Sequence, residues 1–252
     1  MFLPNLIAHR GASAVAPENT LAAFKKAKLL GASMVEFDVM LTADNIPVVI
    51  HDENIKRTTN GRGLVNSFSF EELKQLDAGR WFSRKFQGET IPCLKEVLEM
   101  LDAYDLKANV EIKPIKGAES DTVMMVMSYI NQYWPDENDA LLISSFNYEV
   151  LERVRSFSPE QPIGFLMDKW DDNWRKKITK LNCVSINLNH RCITQARIDE
   201  LKTEDIKILS YTVNKEKKAK KLLSMGVDAV FSDYADLLPS FNSKSSLDAI
   251  NA

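Results

Sequence analysis

The sequence predicts an α/β chain of the (β/α)8 TIM-barrel class, with a small insertion after the second strand. Three observations carry this expectation. Short β-rich apolar runs alternate with helical patterns from end to end, eight such runs can be counted, and 252 residues is the usual length of one such barrel. Alternation argues for a parallel sheet; an open doubly wound sheet is the alternative that periodicity leaves standing.

In chain order, the first strand pattern covers 5–9 and runs straight into His9-Arg10-Gly11. Helix 20–30 follows, opened by the cap-forming Asn19-Thr20 and closed by Gly31. Strand 34–40 (MVEFDVM) is next, and about 66 residues then separate it from strand 107–112. That gap is far longer than one helix needs. It holds an extra apolar run at 47–51 after the turn-like Asp44-Asn45, a Gly-, Asn- and Ser-rich stretch at 60–69, an aromatic stretch around Trp81-Phe82, and helix 94–104. Residues of about 52–92 are therefore expected to form the insertion, over one end of the barrel. Helices at 121–133, 148–157, 172–180, 194–202 and 215–225 alternate with strands at 140–143, 162–166, 184–187, 206–211 and 229–232. Thr194 suits an N-cap and Gly226 a C′ position. One barrel domain is expected over 1–241, followed by a small, polar, flexible tail at 242–252.

Composition excludes some function classes. With 45% hydrophobic residues, 27% charged residues and a net charge of −3, neither nucleic acid nor stable membrane association is expected. An anionic substrate would have to be held by local cations. The start of the chain lacks the charged region of a signal peptide, and no window reaches the roughly 18 apolar residues of a membrane span. Three cysteines without C-x-x-C spacing argue against a disulfide framework, so the expected location is the cytoplasm. The oligomeric state is open.

Several residues bear chemistry. In Glu36-Phe37-Asp38 both carboxylates share one face of a strand and Phe37 takes the other. The plain reading is a pair of salt-bridging acids at a strand end. Glu111-Ile112-Lys113 repeats the geometry at the end of a later strand, and barrel sites lie at the C-terminal ends of strands. Three converging carboxylates make a hard oxygen site suited to Mg2+ or Ca2+. His9 and His51 also close strand runs; such residues are commonly structural, but beside three acids they can give and take protons near neutral pH. Arg10 offers planar two-point recognition of phosphate oxygens, and Gly11 lets the backbone approach closely.

The motifs HRGASAVAPENT (9–20), VEFDV (35–39), PVVIHDENIKRTTNGRG (47–63), LDAGRWFSRKFQGETIPCLKEVL (76–98) and VEIKP (110–114), in this order and spacing, resemble the glycerophosphodiester phosphodiesterase family of bacterial cytoplasmic type. SSFNYEVLERV, YTVN and GVDAVFSDYAD extend the resemblance over nearly the whole chain. The resemblance implies that Glu36, Asp38 and Glu111 bind one divalent cation (Mg2+ or Ca2+, with Mn2+ possible), that His9 and His51 perform acid–base catalysis, and that Arg10 and Lys113 contact the phosphate. It implies hydrolysis of a small-molecule glycerophosphodiester to an alcohol and glycerol 3-phosphate. Tyr211 replaces a common Trp and Ala235 a common Pro, outside the chemistry. A lysophospholipase D-like or sphingomyelinase D-like enzyme is the nearby alternative, and a non-catalytic phosphodiester-binding protein the distant one.

Tyr211, Trp81 and Phe146 are expected pocket residues, with Trp81 and Phe82 equally suited to anchoring the insertion. Asn19 is expected to cap the first helix in preference to reaching the site, His190 to be a solvated loop residue, Cys183 a buried small hydrophobe, and Lys215 to Lys221 a solvated face. No Ser, Thr or Cys, Ser13 included, stands out as an activated nucleophile, which leaves water or a substrate hydroxyl to attack phosphorus. Between the histidines the leaning is to His51 as the acid.

Overall fold

The computed structural model describes residues 3–135 and 141–238. Ala140 and the expected tail at 242–252 lie outside them. The chain forms β1 (Leu6–His9), α1 (Leu21–Leu29), β2 (Met34–Leu41), β3 (Pro47–Val49), α2 (Phe70–Lys74), α3 (Leu94–Ala103), β4 (Lys107–Ile112) and α4 (Glu119–Tyr133). It continues through β5 (Leu141–Ser145), α5 (Tyr148–Phe157), β6 (Ile163–Met167), α6 (Trp174–Leu181), β7 (Ser185–Asn189), α7 (Gln195–Leu201), β8 (Lys207–Tyr211), α8 (Glu216–Met225) and β9 (Ala229–Ser232).

Parallel pairing runs β1-β9-β8-β7-β6-β5-β4-β2, and β1 also pairs with β2. Eight strands thus close into a ring, and the open-sheet alternative falls away. The extra apolar run becomes β3, which lies antiparallel on the far half of β2 (Val39 opposite Val49) and outside the ring. That hairpin carries the chain from the barrel wall into the insertion.

Side-chain period decides what each strand offers. All eight residues of β2 are buried, because its two faces meet different layers. Phe37 points into the shell between strands and helices, where its ring meets Phe24 edge-on at 5.6 Å; this apolar shell runs on through Leu98, Leu101, Val126, Leu151 and Ile198. Inside the barrel, Ile7, Met34, Leu142, Leu209, Ala229 and Phe231 form an apolar floor. A third cluster, with Val48, Ile50, Ile55, Val65, Leu73 and Ile91, holds the insertion down. No helix among the described residues is long and apolar enough to cross a membrane.

The first helix cap is Thr20, whose Oγ1 accepts from the Ala23 amide at 3.3 Å. Asn19, the expected cap, does not serve this role. Thr194 caps α7 as expected, and Gly226 closes α8 at φ 110°.

Candidate active site

The strand ends bring the chemistry-bearing residues together over the barrel floor. Glu36, Asp38 and Glu111 place carboxylate oxygens within 4.8 Å of one another. Ligand oxygens of one cation bound at about 2.0–2.6 Å are separated by at most about twice that distance. The three carboxylates therefore fit a single hard divalent cation. Their protonation points the same way. Burial, then Asp38 and Glu111, pushes the Glu36 pKa well above the ordinary carboxylate range. Burial and then Asp38 push Glu111 up to about 8. Burial also works to raise Asp38, but Arg10, then Lys113 and His51, outweigh it and hold its pKa below normal.

Arg10 follows β1 with a left-handed backbone (φ 54°), held there by donation from its amide to Glu36 Oε2 at 2.9 Å. Gly11 continues the turn at φ 78°, and a Cβ on it would lie 2.7 Å from the Ala23 backbone, so the HRG turn needs glycine. The Arg10 guanidinium donates to Glu18 at 2.8 Å and lies 3.5 Å from Asp38. Lys113 Nζ is 3.6 Å from the other Asp38 oxygen. Both cations thus lean on the carboxylate nest at its edge.

Each histidine is oriented by a carboxylate. His9 Nδ1 donates to Asp233 Oδ1 at 2.6 Å, and His51 Nδ1 donates to Asp52 Oδ1 at 2.6 Å. An ionised carboxylate only accepts, so the proton sits on Nδ1 and Nε2 is left for chemistry. His9 Nε2 lies 3.9 Å from Glu36. Burial lowers the His51 pKa, with Asp38 opposing and Arg10 and Lys113 assisting.

His9, Arg10, Glu36, His51 and Glu111 border one cavity of about 400 Å³, floored by Asn109 and Ser144. Phe146 and Tyr211, edge-on at 5.8 Å, line it. Among the described residues, the Tyr211 hydroxyl and Asn109 Oδ1 are buried without a partner. Trp81 does not line this cavity. It donates to the Ala78 carbonyl at 2.8 Å and packs on Phe82, so it anchors the insertion.

Two further expectations are corrected. Asn19 donates to Asp38 Oδ2 at 2.9 Å, because its φ of 58° turns the side chain back to the carboxylates while Thr20 caps the helix. His190 is not a solvated loop residue: it borders the cavity and accepts from Lys218 Nζ at 2.8 Å, which also takes Lys218 out of the solvated face. Cys183 is buried as expected, and Ser13 donates to the His9 carbonyl at 2.7 Å.

Sequence reasoning passed over Asp52 and Asp233 as partners of the histidines. Asp52 adjoins His51, and Asp233 follows the last barrel strand, where barrel sites lie, so position was the available signal. Glu18 and Arg57 were also missed; nothing local in the sequence marks them.

The model of the Glycerophosphoryl diester phosphodiesterase family matches residues 9–237. A glycerophosphodiester phosphodiesterase of Caldanaerobacter subterraneus is 37% identical over 242 residues, covering 92% of this chain and 95% of that protein. Among solved structures, an Oleispira antarctica phosphodiesterase in complex with the product sn-glycerol-3-phosphate superposes with a TM-score of 0.91 at 41% identity, covering 93% of this chain and 95% of that one. A glycerophosphodiester phosphodiesterase from Thermotoga maritima gives a TM-score of 0.75 at 27% identity, covering 94% and 97%.

Proposed function

This chain belongs to the glycerophosphoryl diester phosphodiesterase family, and on that premise we propose that it hydrolyses glycerophosphodiesters to an alcohol and sn-glycerol 3-phosphate in the cavity between His9 and His51. One observation carries the reading: two imidazoles, each fixed through Nδ1 by a carboxylate, face the same cavity beside three carboxylates and two cations.

Arg10 and Lys113, each beside Asp38, would take the non-bridging phosphate oxygens once substrate competes with Asp38 for them. Glu36, Asp38 and Glu111 would hold the divalent cation, of the Mg2+ or Ca2+ type, which when bound offsets charge developing on the phosphoryl group. His51, kept neutral by burial, is the proton acceptor; cation binding at Asp38 would remove the carboxylate charge that opposes this and keep His51 neutral. His9, which for this step carries a second proton on Nε2, gives that proton to the leaving alkoxide as its P–O bond breaks. This reverses the sequence-based leaning.

The attacking group is the substrate's own 2-hydroxyl, which the glycerol chain already holds next to phosphorus. Its proton goes to His51, a cyclic phosphate forms, and water opens the ring in a second step. An analogue with hydrogen at that position should bind but react roughly a hundredfold more slowly. Cleavage of it at the normal rate would mean direct attack by water.

The function itself is tested by incubating the protein with glycerophosphocholine and Mg2+, Mn2+ or Ca2+ and measuring sn-glycerol 3-phosphate. Chelation should abolish turnover and any effective cation restore it. His9→Ala and His51→Ala should each lower kcat about 10²- to 10⁴-fold with unchanged circular dichroism. Full activity of either variant would remove that histidine from the mechanism.

A further inference from the structure

One guanidinium outside the cavity holds both halves of the site. Arg57 closes a short turn, Ile55–Arg57, in the insertion. Its Nε donates to Asp52 Oδ2 at 2.6 Å, while the other Asp52 oxygen receives the His51 Nδ1 proton. Its Nη1 and Nη2 donate to both oxygens of Glu18, at 2.6 and 2.8 Å. Glu18 Oε1 in turn receives Arg10 Nη1 at 2.8 Å. Arg57 thus ends two short chains, one through Asp52 to the histidine and one through Glu18 to the phosphate-binding arginine.

The turn that presents Arg57 is itself fixed. Ile55 is fully buried in the insertion's apolar cluster, its amide donates to the Gly63 carbonyl at 3.0 Å, and Asn54 caps the turn through the Lys56 amide at 3.0 Å. A surface ion pair that only tied down a loop would need one carboxylate. Here two carboxylates are held, and each also accepts from a residue of the cavity. The planar fork of arginine can serve two carboxylates at set angles; the point charge of lysine cannot.

We propose that Arg57 is a positioning residue for the phosphodiester reaction, setting the orientation of His51 through Asp52 and of Arg10 through Glu18, so that the insertion completes the active site. The proposal rests on the roles given above to His51 and Arg10. It assigns the two chains separable effects: Asp52 acts on turnover, Glu18 on phosphate affinity, and Arg57 on both.

The test is steady-state kinetics on glycerophosphocholine with saturating divalent cation, across pH, for Arg57→Ala, Arg57→Lys, Asp52→Asn, Glu18→Gln and the doubles Arg57→Ala with each carboxylate variant. Arg57→Ala should lower kcat about tenfold to a hundredfold, the range that small misplacements of reacting groups produce, and also raise KM. Asp52→Asn should act mainly on kcat and Glu18→Gln mainly on KM, and each double should lose less than its two singles combined. Losing the cation should move the acid limb of the pH profile upward in Arg57→Ala; Arg57→Lys, which keeps the charge but not the fork, should leave the limb in place and still lower kcat. If Arg57→Ala does not fold, the lysine variant and the carboxylate variants carry the test. Turnover, KM and pH limb all unchanged in Arg57→Lys and Arg57→Ala, while His51→Ala is inactive, would reduce Arg57 to a surface ion pair. Normal activity of His51→Ala would instead overturn the assignment of His51, and the positioning role with it.

Discussion

Glu111 keeps its proton to a pKa of about 8 in the folded chain, against 4.5 for an ordinary glutamate, because burial and then Asp38 oppose its ionisation. Between those values the native state holds a proton that the unfolded chain releases, so stability falls as pH rises and levels off above the folded pKa. His51 and His190, whose pKa values burial lowers from 6.5, work in the opposite sense, but only below that value. The window from pH 6.5 to 8 therefore belongs to the carboxylates. In chelator, the melting temperature should fall across it. Mg2+ or Ca2+ at one fixed concentration, about a hundredfold over the Kd at pH 8, should raise the melting temperature by roughly 5–10 °C at pH 8 and by less at pH 6.5, where protonated carboxylates weaken binding. No cation-dependent shift at either pH would count against a metal at this site. Tyr211 gives a second residue-level expectation. Its buried hydroxyl has no partner among the described residues, so Tyr211→Phe should not lower stability. It should raise KM if that hydroxyl meets the substrate, and calorimetry beside kinetics separates the two effects.

In β2 the alternation Glu36, Phe37, Asp38 sorts two kinds of energy onto two faces. Phe37→Ala empties a site in the helix-facing shell and should cost about 3–5 kcal/mol with cation affinity retained. Glu36→Gln keeps the shape that accepts the Arg10 amide but removes a carboxylate repelled by two others. It should leave the cation-free protein as stable or more so while weakening the cation response; a large loss of stability in chelator would contradict this. Such strand alternation is visible in sequence, since acids inside an apolar run stand out at period two, and so Glu36, Asp38, Glu111 and all eight barrel strands were legible. What escaped notice is what no local period encodes. Asp233 reaches His9 across 224 positions, and Arg57 joins Glu18 across 39. The turns of the insertion are three to five residues long, too short for any periodicity to register. Asn19 and Thr20 compete for one cap, and only the backbone turn at Asn19 decides between them.

At the scale of the whole molecule, the barrel interior holds a polar layer beside its apolar side chains. Along β4, β5 and β7, Asn109 Nδ2 donates to Ser144 Oγ at 2.9 Å and Ser185 Oγ donates to Asn187 Oδ1 at 2.9 Å. In the strand register Asn109 lies between Glu36 and Leu142, and Ser144 lies beside Glu111, so this layer borders the carboxylates directly. A charged site can rest against groups that hydrogen-bond. The layer leaves little room at the level of β6, where Gly164 lies between Ser144 and Ser185 in the strand register. A Cβ on Gly164 would overlap Ser185 Oγ and come within 3.2 Å of the Asn187 amide. Gly164→Ala should therefore destabilise the barrel by about 1–3 kcal/mol, the range of a small overpacking. The clash is with one hydroxyl, so the cost should be largely relieved in a Ser185→Ala background, where that oxygen is gone. Denaturant unfolding of the two single variants and the double gives the coupling directly. A double variant that loses the sum of the single effects would mean that Gly164 is required by the β6 backbone itself, and that the polar layer has more room than its packing implies.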